Sequence, residues 1–466
     1  MTTVALAERY SRLEFADLPA PVVNRAIELA IDTLGVAIGG QFLESSTLTS
    51  ELVADMGGKP ESTVVGGGRV PACLAVLANA TIAHGLELDD VDNASSLHPG
   101  TVVIPTALAL GEATSASGSD VVAAIVAGYD AMIRIGRAAG AVQQYSKGFH
   151  PTATCGVFGA AITAGRLLQL DGDRLAHALG IAGSFSAGNL EYMANGAWTK
   201  RLQVGGAAQS GTLAALMSAR GFTGPTTILE GKHGFLQAHA DTPDPAMLTD
   251  GLADPFAILD VSIKPFACCR YSQTPVDAVL ELIEHHTIAA ERVTRVDVGL
   301  VNAGIPIVAE PREQKLSPQN SVDAQFSLPY AVAVALQRGG AFVEEFSDQA
   351  VWDPAVRRLM PLVHVHPDAA LDAFYPAKWP ADVTISMDNG EHHRLRVMDC
   401  RGDPGKPILR RALEDKFRRL AAAAMGSVAM DQILERVAGL AALDDIAQLT
   451  ELFRSHPDRV ALAGAR

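Results

Sequence analysis

Apolar residues recur at helical spacing through most of the first 255 positions. Leu18-Pro19-Ala20-Pro21 reads as a turn, and Val22 to Val36 then follows the 3.6-residue period. Runs at Leu74–His84, Val103–Glu112 and Val121–Ala139 do the same. Gly recurs inside these runs, although in a helix it costs about 1 kcal/mol against Ala. That points to helices whose backbones approach closely. One short hairpin arm is expected at Glu61–Val65, before Gly66-Gly67-Gly68. From about residue 260 the period changes to two. Val296, Val298 and Leu300 alternate with polar residues, and so do Val383, Ile385 and Met387. Asp388-Asn389-Gly390 then turns the chain into Leu395 and Val397, a hairpin signal. Helices are predicted at Pro275–His286 and Asp323–Gln337 between the strands. After Gly402-Asp403-Pro404-Gly405 the pattern is helical again to the end, with faces suited to packing back on the first helices.

Composition narrows the function. In 466 residues, 48% are hydrophobic and 19% charged, with a formal charge of −15. This excludes a disordered chain and argues against a nucleic-acid partner, which wants a basic surface. Cys73, Cys155, Cys268, Cys269 and Cys400 form no CxxC pair, so neither a disulfide framework nor a structural zinc or iron–sulfur site is expected. Charged residues interrupt the N-terminal segment, so no signal peptide is read there. No uninterrupted apolar stretch of about 18 residues suggests a membrane span. The expectation is a soluble cytoplasmic protein. No GxGxxG, phosphate-binding loop or GxSxG elbow occurs, so hydride transfer, nucleotide hydrolysis and serine hydrolysis lose support.

The informative feature is where charge is missing. Between Asp92 and Glu112 the only titratable side chain is His98. Between Lys147 and Arg166 there are only His150 and Cys155, and between Arg174 and Arg220 the charged residues are Glu191, Lys200 and Arg201. Isolated basic groups in apolar, small-residue segments are costly to bury unless they are paired or line a cavity. Together they point to an anion-binding pocket. His98-Pro99 and His150-Pro151 each precede a helix, since Pro favours the first helical position. An imidazole at a helix N-terminus is held neutral by the dipole and can act as a base, and the same helix ends attract a carboxylate. The alternative is two ordinary helix starts carrying exposed histidines. Glu87, Asp89 and Asp90 close the preceding helix and could tune His98, although their spacing matches no recognised metal site. His364, His366, His392 and His393 lie in strand-like segments and read as surface residues.

Six segments resemble the MmgE/PrpD family. They are His84-Gly-Leu-Glu-Leu-Asp-Asp90 with His98-Pro99, Lys147-Gly-Phe-His-Pro-Thr152, Gly196-Ala-Trp-Thr-Lys-Arg-Leu202, Gly221-Phe-Thr-Gly-Pro225 with Ile228-Leu-Glu-Gly231, Lys264-Pro-Phe-Ala-Cys-Cys269 and Phe326-Ser-Leu-Pro-Tyr330. They occur in family order over about 85–455. The resemblance implies a mainly α fold: a large all-helical domain from residues 1–260 plus 403–466, with a smaller α+β lid domain at 261–402 and the active site between them. It also implies a homodimer, no metal or organic cofactor, and a small di- or tricarboxylate substrate. Family cleft positions fall on Glu87, Val91, His98, His150, Lys200, Lys264, Cys269 and Tyr330. Of these, His98, His150, Lys200, Lys264 and Tyr330 keep the expected side chain. Glu87 stands where Asp is usual, Val91 where Thr is expected and Gln273 where a His commonly follows, and the loop from Asp90 to His98 is one residue longer.

The family's reactions share one step, making or quenching a carbanion beside a carboxylate. The resemblance therefore assigns Lys200, Lys264 and Arg201 to carboxylate binding, with Gln273 also on the substrate. His98 and His150 become proton carriers, Tyr330 a donor, Glu87 or Asp90 a tuner of a histidine, and Cys269 a second proton carrier or a pocket wall. The altered acid positions weaken dehydration, so an epimerase of the iminodisuccinate type leads. A 2-methylcitrate-like dehydratase or cis-aconitate decarboxylase follows, and a non-catalytic carboxylate-binding protein comes third.

Overall fold

The computed structural model describes residues 2–252 and 256–454. Its first half is helical, as the periodicity predicts. Helix α1 (Ala20–Gly40) starts at the Pro19-Ala20-Pro21 turn, and α2 (Ala72–Ala83) carries the run that ends at His84. Helices α3 (Gly100–Thr114) and α4 (Gly118–Ala139) follow, the second capped by Ser117 Oγ accepting from Asp120 N. Helix α5 (Pro151–Leu167) has His150 as its N-cap and Pro151 as its first residue. Helix α6 (Thr199–Ala219) packs between α5 and α2. That close approach explains two of its glycines. A Cβ at Gly205 would meet Thr81 Oγ1 at 2.1 Å, and one at Gly211 would meet Val157 O at 2.2 Å.

The expected hairpin near Gly66-Gly67-Gly68 is present as Ser62–Thr63 paired with Arg69–Val70. A second two-residue pair, Val91–Asp92 with Val261–Ser262, was not legible in the sequence. It is too short to show a period, and it joins residues far apart in the chain. It anchors the loop that follows Glu87 to the segment leading into the second half.

That second half holds α7 (Arg270–His285), strand β1 (Val293–Leu300), α8 (Leu328–Arg338), β2 (Val363–Pro367), β3 (Ala381–Met387) and β4 (His392–Val397). The sheet order is β2-β1-β3-β4, parallel between β1 and β2 and antiparallel elsewhere. Val298 stands opposite both Val365 and Val383, so the alternation read from the sequence builds the buried face. The helix predicted at Asp323–Gln337 is broken into Ser321–Gln325 and α8. Ser327 Oγ accepts from Tyr330 N and Pro329 occupies the first turn, so a new helix starts there.

Helices α9 (Arg410–Ala421) and α10 (Ser427–Ala438) follow, and α9 packs on α1. Beyond residue 454 the expected helical run lies outside the described residues. Two hydrophobic cores result. One joins residues 6–263 to 413–453. The other is built from residues 266–400, with Val36, Leu86, Leu88 and Leu420 reaching into it. The molecule is thus mainly α with one small mixed sheet. Among the described residues no single helix is long and apolar enough to cross a membrane.

Candidate active site

The acidic stretch leaves α2 by breaking helical phase. His84 is its C-cap, and Glu87 adopts a left-handed backbone at φ 54°. An L-residue pays for that conformation, and such positions gather at functional sites. The break sends Glu87, Asp89 and Asp90 in three directions. Ser96, at φ 57°, turns the same loop back toward His98. Glu87, Val91, Ser96, His98, Tyr145, His150, Tyr192, Met193, Lys200, Cys269, Arg270, Tyr271, Ile307, Phe326 and Trp379 line one narrow cavity, with walls drawn from both halves of the chain.

Two imidazoles, His98 and His150, line it, and a third, His84, is buried behind them. The His84 ring centroid lies 5.2 Å from that of His98 and 5.8 Å from that of His150. Each ring has an acceptor at Nδ1. His84 Nδ1 lies 2.8 Å from Asp89 Oδ2. His98 Nδ1 lies 2.6 Å from the Asp90 carbonyl and 3.1 Å from Asp89 Oδ2. His150 Nδ1 lies 3.0 Å from Gln203 Oε1, whose amide nitrogen donates to Asn189 O. These acceptors place the proton on Nδ1 in all three rings and leave each Nε2 with a lone pair. His84 Nε2 has no partner among the described residues. Burial lowers all three pKa values: to about 4 for His84, with Lys200 adding to the effect, and well below the ordinary imidazole value for His150. For His98 the lowering by burial is opposed by Asp89. The rings are therefore neutral bases, and both expected catalytic histidines are buried rather than exposed. His150 is an N-cap as anticipated, whereas Pro99 takes that place on α3. Desolvation, more than the helix end, sets their basicity.

The charges are balanced. Lys200 Nζ is bonded to Glu87 Oε1 and lies 5.1 Å from the centre of the Phe326 ring. Lys264 Nζ donates to the Glu87 carbonyl at 3.0 Å and lies 3.6 Å from Glu87 Oε2 and 3.5 Å from Asp89 Oδ1. Burial pushes the Glu87 carboxyl up, but the Lys200 and Lys264 ammoniums outweigh it and hold it far below the usual range. Two ammoniums thus face two carboxylates, and the histidines carry no charge.

Several expected placements need correction. Asp90 reaches His98 only through its backbone. Its carboxyl accepts from Tyr129 Oη at 2.6 Å and Gly100 N at 2.9 Å, and burial pushes its pKa up to about 7. Glu87 pairs with lysines rather than with a histidine. The carboxylate that holds histidines is Asp89, which the sequence grouped with Glu87 and Asp90 as a candidate but which the assignment of roles left out. Tyr330 does not line the cavity: its hydroxyl donates to Glu345 O at 2.7 Å inside the second core. Gln273 is spent on Phe266 and Cys268, bracing the loop before α7. Arg201 donates to Ser45 Oγ, and Lys264 sits behind Glu87; neither lines the cavity. Cys269 does line it, and burial raises its thiol pKa, which keeps it protonated. The aromatic wall of Tyr192, Tyr271, Phe326 and Trp379 was also missed as a group. Only Phe326 lay in a recognised segment. No group of three or more His, Cys, Asp or Glu side chains is disposed to hold a metal ion among the described residues.

The profile of the MmgE/PrpD N-terminal domain matches residues 4–248, and that of the C-terminal domain matches residues 266–440. The chain belongs to the MmgE/PrpD family. Within it, the chain is similar to the cis-aconitate decarboxylase of Homo sapiens, 26% identical over 97% of this chain and 94% of the relative. It is similar to a cis-aconitate decarboxylase of Aspergillus terreus, 26% identical over 95% and 94%. A cis-aconitate decarboxylase-like protein of Aspergillus oryzae is 25% identical over 97% and 96%. MmgE/PrpD members are enzymes, and this chain is an enzyme of the isomerase or lyase kind.

Proposed function

We propose that the chain is a cofactor-independent lyase that removes carbon dioxide from a small unsaturated di- or tricarboxylic acid of the cis-aconitate class. The reading rests on one observation: the neutral imidazoles of His98 and His150 share the lining of one cavity with the aromatic rings of Tyr192, Tyr271, Phe326 and Trp379. The departing carboxylate is charged and carbon dioxide is not, so an apolar wall favours the product side of the step. The carbon–carbon bond breaks, its electron pair stays on the skeleton beside a remaining carboxylate, and a proton takes the vacated position. A bound polyanion places negative charge beside His98 and His150 and raises their pKa. Rings that are neutral in the free protein can then take up the proton they deliver. Lys200 lines the cavity and, although already paired with Glu87, can shift part of its charge toward the developing anion. The names of the relatives support this order of the two leading reactions. Dehydration finds less support, because it needs an acid at the leaving oxygen: Val91 offers none, Gln273 and Tyr330 are engaged elsewhere, and only His98 and His150 are left to serve.

Epimerisation of an iminodisuccinate-type acid is the second reading. It is favoured by the presence of two neutral imidazoles, His98 and His150, on one cavity. Proton NMR on a panel of di- and tricarboxylic acids in deuterated water separates the two. Release of carbon dioxide with one deuteron incorporated supports decarboxylation; α-carbon exchange without carbon loss supports the epimerase and overturns it. His150→Gln is expected to lower kcat by about 10²-fold or more. In the same reading the second core is a lid over the helical body. The assembly proposed is a homodimer, supported by Leu48, Leu52 and Met56, which expose an apolar stripe on Glu44–Met56. Sedimentation should fall to the monomer value in Leu48→Glu/Leu52→Glu.

A further inference from the structure

We propose that Lys315 is a specificity-determining residue that binds a carboxylate of the acid at the mouth of the cleft. This deepens the proposed function and rests on its carboxylate substrate. A second, wider cavity is lined by Tyr192, Met193, Gly196, Lys315, Asn320 and Phe326, among others. Tyr192, Met193 and Phe326 also line the inner cavity, so the outer one is its vestibule. The cations along this path are Lys200, Arg270 and Lys315. Lys200 is paired with Glu87, and Arg270 grips Asp403 at 2.7 and 2.9 Å. Their charge is spent before any substrate arrives, so the inner cavity offers a polyanion no unmatched cation.

Lys315 is different. It is half-buried, and among the described residues its ammonium has neither an ion pair nor a hydrogen bond. The acids beside it are engaged or solvated. Asp323 Oδ2 accepts from Gln319 N at 3.0 Å and Asn320 Nδ2 at 3.1 Å, and Glu313 is exposed. Burial lowers the Lys315 pKa, opposed by Asp323. A partly desolvated ammonium without a counter-ion is costly. At this point on the path, the carboxylate of an incoming acid would supply the partner.

The test uses tricarballylate, a saturated tricarboxylate that does not need the reaction to bind, and glutarate, which has one carboxylate fewer. Titration calorimetry on the full chain should show wild type preferring tricarballylate. Lys315→Met should weaken that acid about 10- to 100-fold and shrink the preference, while Lys315→Arg stays within about threefold of wild type. For any acid turned over, KM should rise by a similar factor with kcat nearly unchanged. Met matches the length of the Lys stem and removes no existing bond, and a thermal melt checks its folding. Unchanged tricarballylate affinity in Lys315→Met overturns the inference, as does a wild type that does not bind it. If wild type binds through Lys315 but turns over no acid, the reaction reading fails and this site stands.

Discussion

Asp89 is the residue on which the site's proton chemistry turns. One carboxylate oxygen lies within reach of Nδ1 of both His84 and His98, while the other faces Lys264. It fixes which nitrogen carries the proton, and so which is free to take one. Asp89→Asn keeps the shape but puts an amide donor where an acceptor is needed. One or both imidazoles then flip tautomer or lose the bond. We expect kcat to fall about 10²-fold or more with circular dichroism unchanged, and nitrogen-15 spectra of the histidines to show the altered tautomer. A loss below threefold would remove Asp89 from the mechanism. The isolated basic groups in uncharged segments made the meeting of His98, His150 and Lys200 legible, although Arg201 by the same argument stays outside the cavity; Glu87 and Cys269 were placed there only by the family resemblance. The sequence could not separate Asp89 from Asp90. Adjacent residues point apart here because Glu87 leaves the helical region, and nothing in its side chain announces that. Tyr330 misled for a related reason. Its motif is intact, but the Ser327 cap starts a helix that carries the hydroxyl to the Glu345 carbonyl.

Among the elements, α9 supports the site from behind. Its Lys416 is buried and donates to Asp32 Oδ1 on α1 at 2.6 Å, and to the Leu88 and Lys264 carbonyls at 2.8 Å each. One ammonium thus ties the C-terminal helices to α1, to the acidic loop and to the segment bearing Lys264. Burial pushes Asp32 up and Lys416 down, each opposed by the other, so the pair is held together against a large desolvation cost. Lys416→Met leaves Asp32 unpaired and two carbonyls without a donor. It is expected to cost about 3–5 kcal/mol, read as a lower urea midpoint at unchanged slope. Adding Asp32→Leu should recover part of that loss, because no buried charge then remains alone. If Lys416→Met melts like wild type, this brace is not structural. The elements themselves were the legible part of the fold. Periods of 3.6 and 2 are local properties, and they located α1 to α4, α7 and the β3–β4 hairpin. The Val91–Asp92 pairing and the break before α8 were not legible, since one depends on a distant partner and the other on a cap that overrides a continuous apolar pattern.

At the scale of the whole molecule, the buried titratable groups make stability depend on pH in two opposing ways. His84, His98 and His150 have native pKa values below the unfolded value near 6.5. Between their native values and 6.5 the unfolded chain binds protons that the native state refuses. Stability therefore rises with pH across that window and is lost as pH falls below 6.5, by about 1.4 kcal/mol per unit for each proton. Asp90 acts the other way. Its native pKa of about 7 lies above the unfolded value of 3.8, so the native state holds the extra proton between the two. Its contribution declines as pH rises through that range. By pH 8 the ionised Asp90 opposes folding by something on the order of 4 kcal/mol relative to its protonated form. Asp90→Asn cannot ionise, and its amide can still accept from Gly100 N while facing Tyr129. Urea melts of both proteins from pH 4 to 8 should therefore diverge. The two should be close at pH 4, and the variant should be increasingly the more stable toward pH 8, by up to about 4 kcal/mol. Parallel curves would mean that Asp90 is ionised throughout, and that its hydrogen bonds from Tyr129 and Gly100 outweigh its burial.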